Sequence, residues 1–139
     1  MNRIVPLAAL ALVVSSSVWS AQDRPEPRNS YGAIAASREN LATGYAINQT
    51  TQEEANQLAT AECEKNSEGK PCKVRVHLRN SCGAIADASN GRAGYSWGST
   101  TEKAEGEALK ACEQVGRDCQ IAISFCSDTR PATADTLYQ

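Results

Sequence analysis

The run that follows Cys72 alternates without interruption, with Val74, Val76 and Leu78 standing between Lys73, Arg75, His77 and Arg79. Period-two alternation of this length predicts a β-strand, with the three aliphatic residues on a core face and the four basic ones opposite. A second run follows Cys119, with Ile121, Ile123 and Phe125 on one face and Ala122, Ser124 and Cys126 on the other. Each run is preceded by an alanine-rich segment of helical spacing. In the first, Thr51 and Glu54 form a capping-box pattern, and the apolar positions are Ala55, Leu58, Ala59 and 61–63. In the second, Ala104, Ala108, Ala111, Cys112 and Val115 fall on one stripe. Gly106 falls off that stripe, so it is expected to face outward, at a cost of about 1 kcal/mol against alanine.

Ahead of each helix stands a hairpin. Tyr31-Gly32-Ala33-Ile34-Ala35 is continued by Gly44-Tyr45-Ala46-Ile47, and Cys82-Gly83-Ala84-Ile85-Ala86 by Gly94-Tyr95-Ser96-Trp97. The second hairpin carries Asn90-Gly91, residues that tolerate the positive φ of a tight turn. One strand-strand-helix-strand unit is therefore stated twice, over residues 31–79 and 82–126. The expected fold is α+β, a two-layer sandwich of two β-β-α-β repeats, mostly antiparallel, with both helices on one face. In that arrangement the basic row would lie flat to solvent.

All six cysteines lie within the repeats. Cys63 and Cys72 stand in the first unit where Cys112 and Cys119 stand in the second, so each pair is expected to close its own helix-to-strand turn. Cys82 and Cys126 are left for each other. A metal site is the alternative, but the chain has no C-x-x-C and one histidine, His77, whereas zinc sites use close-spaced ligand pairs. An even number of cross-linked cysteines implies an oxidising compartment. The amino terminus agrees: Arg3 precedes an apolar run over 4–14, and Val18-Trp19-Ser20 suits cleavage, so residues 1–20 read as a signal peptide. That run is shorter than the about 20 apolar residues a spanning helix needs, so the chain is expected to be periplasmic or secreted, from a bacterium, and not membrane-spanning. Residues 21–30 read as a flexible leader, 31–126 as one duplicated domain, and 127–139 as a loose tail broken by Pro131.

Arg3 is the charged residue of the signal segment, and removing it leaves 13 bases against 16 acids, a net charge of −3. That balance carries no global nucleic-acid or anionic-membrane footprint. His77 has basic neighbours on its strand face and no orienting carboxylate close by in sequence, so it reads as a solvent-facing strand residue rather than a catalytic base. Asp87, beside the Asn90-Gly91 turn, is the acid that a glycosidase-like carboxylate pair could use, although an aspartate there more commonly stabilises the turn. The candidate partner-binding residues are the row Lys73, Arg75, His77 and Arg79, and the pair Tyr95 and Trp97, which alternation puts on one strand face. Trp97 reads either as core packing against an alanine-faced helix or as an exposed anchor for a partner.

The paired Y/C-G-A-I-A, G-Y-x-W/I, alanine-rich helix and C-x-I/V-x-I/V elements together resemble the family catalogued as domain of unknown function 4189, found in exported bacterial proteins. The resemblance covers nearly everything from residue 31 to 126. It implies export, cysteine cross-linking and a small repeated α+β domain, and it supplies no catalytic residues. The expected function is a non-catalytic periplasmic binding protein, an inhibitor or immunity-like partner of another exported protein. The alternatives are a small envelope hydrolase or lyase using carboxylates, and an envelope ligand-binding or structural protein. No cofactor and no metal is expected.

Overall fold

The computed structural model describes residues 28–127; the expected signal peptide, residues 21–27 of the leader and residues 128–139 of the tail lie outside the described residues. The first unit consists of β1 (Tyr31–Ser37), β2 (Thr43–Gln49), α1 (Gln52–Asn66) and β3 (Cys72–Arg79). The second consists of β4 (Ser81–Asp87), β5 (Ala93–Gly98), α2 (Thr101–Glu113) and β6 (Gln120–Ser127). The α+β class and the two β-β-α-β repeats are as expected.

The layering is not. Each unit forms its own three-stranded antiparallel sheet, in the orders β2-β1-β3 and β5-β4-β6. Alternation along β1 sends Ala33 and Ala35 towards α1, and along β4 it sends Ala84 and Ala86 towards α2. Ile34 and Ile85 point the other way and meet Val76 and Leu78 in one cluster between the sheets. There Tyr45 of β2 stacks on Phe125 of β6, with ring centroids 4.4 Å apart. The layers therefore run helix, sheet, sheet, helix, which corrects the expectation of both helices on one face. The physical reason lies in β1 and β4, which are apolar on both faces: one face takes the helix, and the second is covered by the other sheet.

Each helix lies close against its sheet. Ala55, Ala59 and Cys63 on α1, and Ala104, Ala108 and Cys112 on α2, are buried stripes spaced by four. Gly44 and Gly94 face them. A Cβ on Gly44 would come within 2.2 Å of the Cys63 amide nitrogen, and one on Gly94 within 2.2 Å of the Cys112 nitrogen. Backbone meets backbone at these crossings, and only glycine fits. The helix stripes are narrower than the expected apolar positions, since Leu58 is 49% exposed and Val115, beyond the end of α2, is 40% exposed. At so close a crossing every fourth residue reaches the sheet and its neighbours do not. Both helices start on threonine caps: Thr51 Oγ1 accepts from the Glu54 amide at 3.1 Å, and Thr100 Oγ1 from the Lys103 amide at 3.3 Å. The Thr50 hydroxyl donates to the Glu54 carboxylate and is the main reason that its pKa is lowered.

The three disulfides form as expected: Cys63 with Cys72, Cys112 with Cys119, and Cys82 with Cys126. The first two tie the end of each helix to the strand that follows. The third joins facing residues of β4 and β6. At the matching place in the first unit, Tyr31 faces Arg79 across β1 and β3, and the guanidinium lies 6.0 Å from the ring centroid.

The domain is also slightly longer than its expected limits. Ser30, read as the end of the leader, and Ser127, read as the start of the tail, are both buried, and their hydroxyl oxygens are 2.8 Å apart. The Ser30 amide donates to Asn80 Oδ1 at 2.8 Å, and the Asn48 amide donates to Ser127 Oγ at 3.1 Å. Short polar residues with partners on every side are buried at little cost, so this network anchors the chain where it enters and leaves the fold.

The glycine geometry generates opposed outcomes for two alanine substitutions. Gly94→Ala is expected to destabilise by more than about 3 kcal/mol, because neither backbone at the crossing can yield. Gly106→Ala, whose Cβ would meet nothing within 4 Å, is expected to stabilise by about 1 kcal/mol. Denaturant titration of both variants checks the pair, and a mild Gly94→Ala would mean that the helix is free to shift.

Candidate functional site

The basic row does not form one surface. In β3 the pairing slips between Ile34 and Ala35, which face Val76 and Val74, so Arg75 is an extra residue in a β-bulge. The bulge breaks the alternation. Val74 packs with the α1-side cluster, whereas Val76 and Leu78 pack between the sheets, which corrects the expectation that all three share a core face. Lys73 and His77, which flank the two valines, consequently lie on opposite sides of the sheet. His77 and Arg79 share the α1 side at the sheet edge and are exposed. Arg75 is half-buried, and its Nε is shielded from water with no hydrogen bond. β6 repeats the device: Ile123 faces Ile85 and Ile121 faces Ala86, so Ala122 is the extra residue. Ile121 turns to the α2 side while Ile123 and Phe125 stay between the sheets.

The pair Tyr95 and Trp97 is divided differently. Facing Ile85 and Gly83 respectively, they leave β5 on the same side, yet they serve separate places. Tyr95 packs into the cluster between the sheets. Trp97 is 59% exposed, which rules out its reading as core packing against the helix. With Gly98, Ser99, Glu102, Lys103 and Gly106 it lines an open depression of about 610 Å³ on the first turns of α2. The Glu102 carboxyl is held below its ordinary pKa, chiefly by its own backbone amide and then by the Thr100 hydroxyl. The depression therefore offers the Glu102 carboxylate and the Lys103 ammonium beside a large aromatic face, with Glu107, ion-paired to Lys110, also in its wall.

Asp87 is brought beside a second acid that the sequence did not single out. Asp87 and Asp118 line one depression of about 390 Å³, and Ser89 Oγ donates to Asp118 Oδ2 at 3.2 Å. Both carboxylates are exposed, so neither has the apolar, water-excluding walls of a general acid. A further depression, between the two hairpin turns, is lined by Arg38 and Arg92. The sequence reading missed this pair because the residues are far apart along the chain; the signal available was that both sit in the turn of the repeated hairpin. Among the described residues no three His, Cys, Asp or Glu side chains converge as metal ligands, and no helix is long and apolar enough to cross a membrane.

The family model for the domain of unknown function DUF4189 matches residues 31–126, from the first residue of β1 to the last cysteine. The chain belongs to the DUF4189 family. It is also similar to Rv1813c from Mycobacterium tuberculosis, known from an NMR structure, at 24% identity over 91% of this chain and 97% of that one, with a TM-score of 0.51. A likeness at that identity carries the fold alone. No curated protein matches the chain.

The bulge predicts that two basic residues of the row behave differently. Arg75→Glu is expected to lower stability by about 1 kcal/mol or more, because it puts a carboxylate where a polar atom is already shielded and unpaired. Lys73→Glu, at an exposed position, is expected to change it by less than about 0.5 kcal/mol. Thermal melts of the two variants side by side check this, and equal melts would place both side chains in open solvent.

Proposed function

We propose that this DUF4189 chain is an exported, non-catalytic binding protein that docks on another exported protein as an inhibitor or immunity-like partner. The observation that carries this reading is Trp97, more than half exposed at the rim of the α2 depression. An exposed tryptophan beside a concavity with a few placed charges is the usual anchor of a protein interface. Export is supported by three closed disulfides, which persist in oxidising compartments, and by the apolar segment after Arg3. The scaffold suits the role, since a cross-linked domain loses little conformational freedom on binding. The carboxylate-hydrolase alternative finds Asp87 and Asp118 in one depression, but without the desolvation that such chemistry needs.

The test is chemical cross-linking and co-purification of the oxidised protein from its native compartment, followed by affinity measurement with the captured exported protein. Trp97→Ala is expected to weaken that complex by at least about tenfold while the melting temperature stays unchanged. A complex that survives Trp97→Ala intact would move the contact away from α2 and overturn the reading.

A further inference from the structure

Two guanidiniums from different repeats converge on one hollow. Arg38 stands in the turn between β1 and β2, and Arg92 in the turn between β4 and β5. Together with Leu41, Tyr95 and Val115 they line a depression of about 480 Å³. No acid lines it, and Glu39, the neighbour of Arg38, lies 3.6 Å from Lys70. Among the described residues neither guanidinium, nor the Tyr95 hydroxyl, has a side-chain hydrogen bond or ion pair of its own. In a chain with more acids than bases, two unpaired arginines facing one hollow form a local anion site. The planar fork of arginine matches a carboxylate in bidentate fashion.

The other wall is apolar and exposed. Leu41 is 39% and Val115 40% accessible at its lip, with the half-buried Tyr95 ring beside them. Leu41 is held at φ +62°, a region that a leucine rarely adopts. Gly91 of the other hairpin packs beneath its side chain, close enough that an added Cβ would touch Leu41 Cδ1 at 3.9 Å. A glycine would suit that backbone better, so the strain keeps an aliphatic side chain at the mouth of the hollow; strain of this kind gathers at ligand sites.

We propose that this hollow binds a small amphiphilic carboxylate, its head on Arg38 and Arg92 and its aliphatic body against Leu41, Val115 and Tyr95. The volume is within the range of small-ligand pockets. The arginine end of the site is at the opposite end of β5 from Trp97, with Arg92 roughly 16 Å from it along the strand and Tyr95 between them, and the site stands whether or not a protein docks on α2.

The shared chemistry has two sources, an acyl chain and the carboxyl end of a peptide, and two probes separate them. The oxidised protein is titrated with octanoate and with N-acetylleucine, and followed by NMR shifts of backbone amides and arginine side chains. Octanol and inorganic phosphate serve as controls. At least one carboxylate is expected to saturate the residues around the hollow below about 1 mM, and the tighter one identifies the source. Octanol and phosphate should each bind about tenfold more weakly, because each supplies half of the match. Arg38→Gln and Arg92→Gln should each weaken the better probe by about tenfold. Leu41→Gly should weaken it too while melting no lower than the wild type. Octanol as tight as octanoate would reduce the hollow to an apolar patch, and phosphate as tight as both carboxylates would reduce it to a bare anion patch; either result overturns the proposal. So does unaltered binding in the Arg38→Gln/Arg92→Gln double variant, or the failure of both carboxylates to saturate.

Discussion

The close crossing of each helix over a glycine is the constraint from which the rest of the fold follows. With the Cys63 and Cys112 amides almost touching Gly44 and Gly94, the buried helix face has room only for alanine and cysteine. Alanine stripes bury little apolar area, so helix and sheet need a further tie. The cysteine at the end of each stripe supplies it, reaching the first residue of β3 or the residue just before β6. The chain-entropy account makes such a short loop worth about 2 to 3 kcal/mol. Larger side chains are correspondingly placed between the sheets, where Ile34, Leu78, Ile85, Tyr45 and Phe125 meet.

Duplication fixed the frame and divergence then separated the two halves. Cys82 and Cys126 cross-link the second sheet where Tyr31 and Arg79 face each other in the first. Ser124, the counterpart of His77, is tied to α2 by a 2.6 Å hydrogen bond to Glu105, whereas His77 is left exposed at its sheet edge. Trp97 corresponds to Ile47, which is half-buried. The first two differences close the second half more firmly, and the third gives it the exposed aromatic ring. A surface present in one copy of a repeat and absent from the other owes nothing to the fold they share, so the exposed ring is a feature of the second half alone.

How much of this was legible depended on distance along the chain. The repeats, both threonine caps and all three cysteine pairings could be read, because each rests on a local pattern or on comparing one unit with the other. The outward placement of Gly106 was legible for the same reason. The bulges at Arg75 and Ala122 were not, since nothing within the run Lys73-Val74-Arg75-Val76 shows that its partner strand is one residue short there. That one slip undid the flat basic face. The face-to-face sheets were written in the doubly apolar β1 and β4, a pattern equally consistent with a buried central strand of one larger sheet. The meeting of Arg38 with Arg92 is a property of that face-to-face packing, so it was out of reach for as long as the packing was.

Exposed apolar groups have to be reconciled with a core this thin. Trp97, Leu41, Leu58 and Val115 are all substantially exposed, although α1 and α2 bury almost nothing larger than a cysteine. Helix-to-sheet distance explains Leu58, which the narrow stripe leaves behind. It does not explain Leu41, which stands in a hairpin turn at positive φ, nor Trp97 on an edge strand beside an open depression. A chain held by three cross-links can tolerate both, because the unfolded state is constrained whatever those side chains do. The same rigidity keeps each group in one place before any ligand or partner arrives, so little ordering remains to be done on binding. Cross-linking thus compensates for the small core and leaves the few large apolar side chains outside it free to act as contacts.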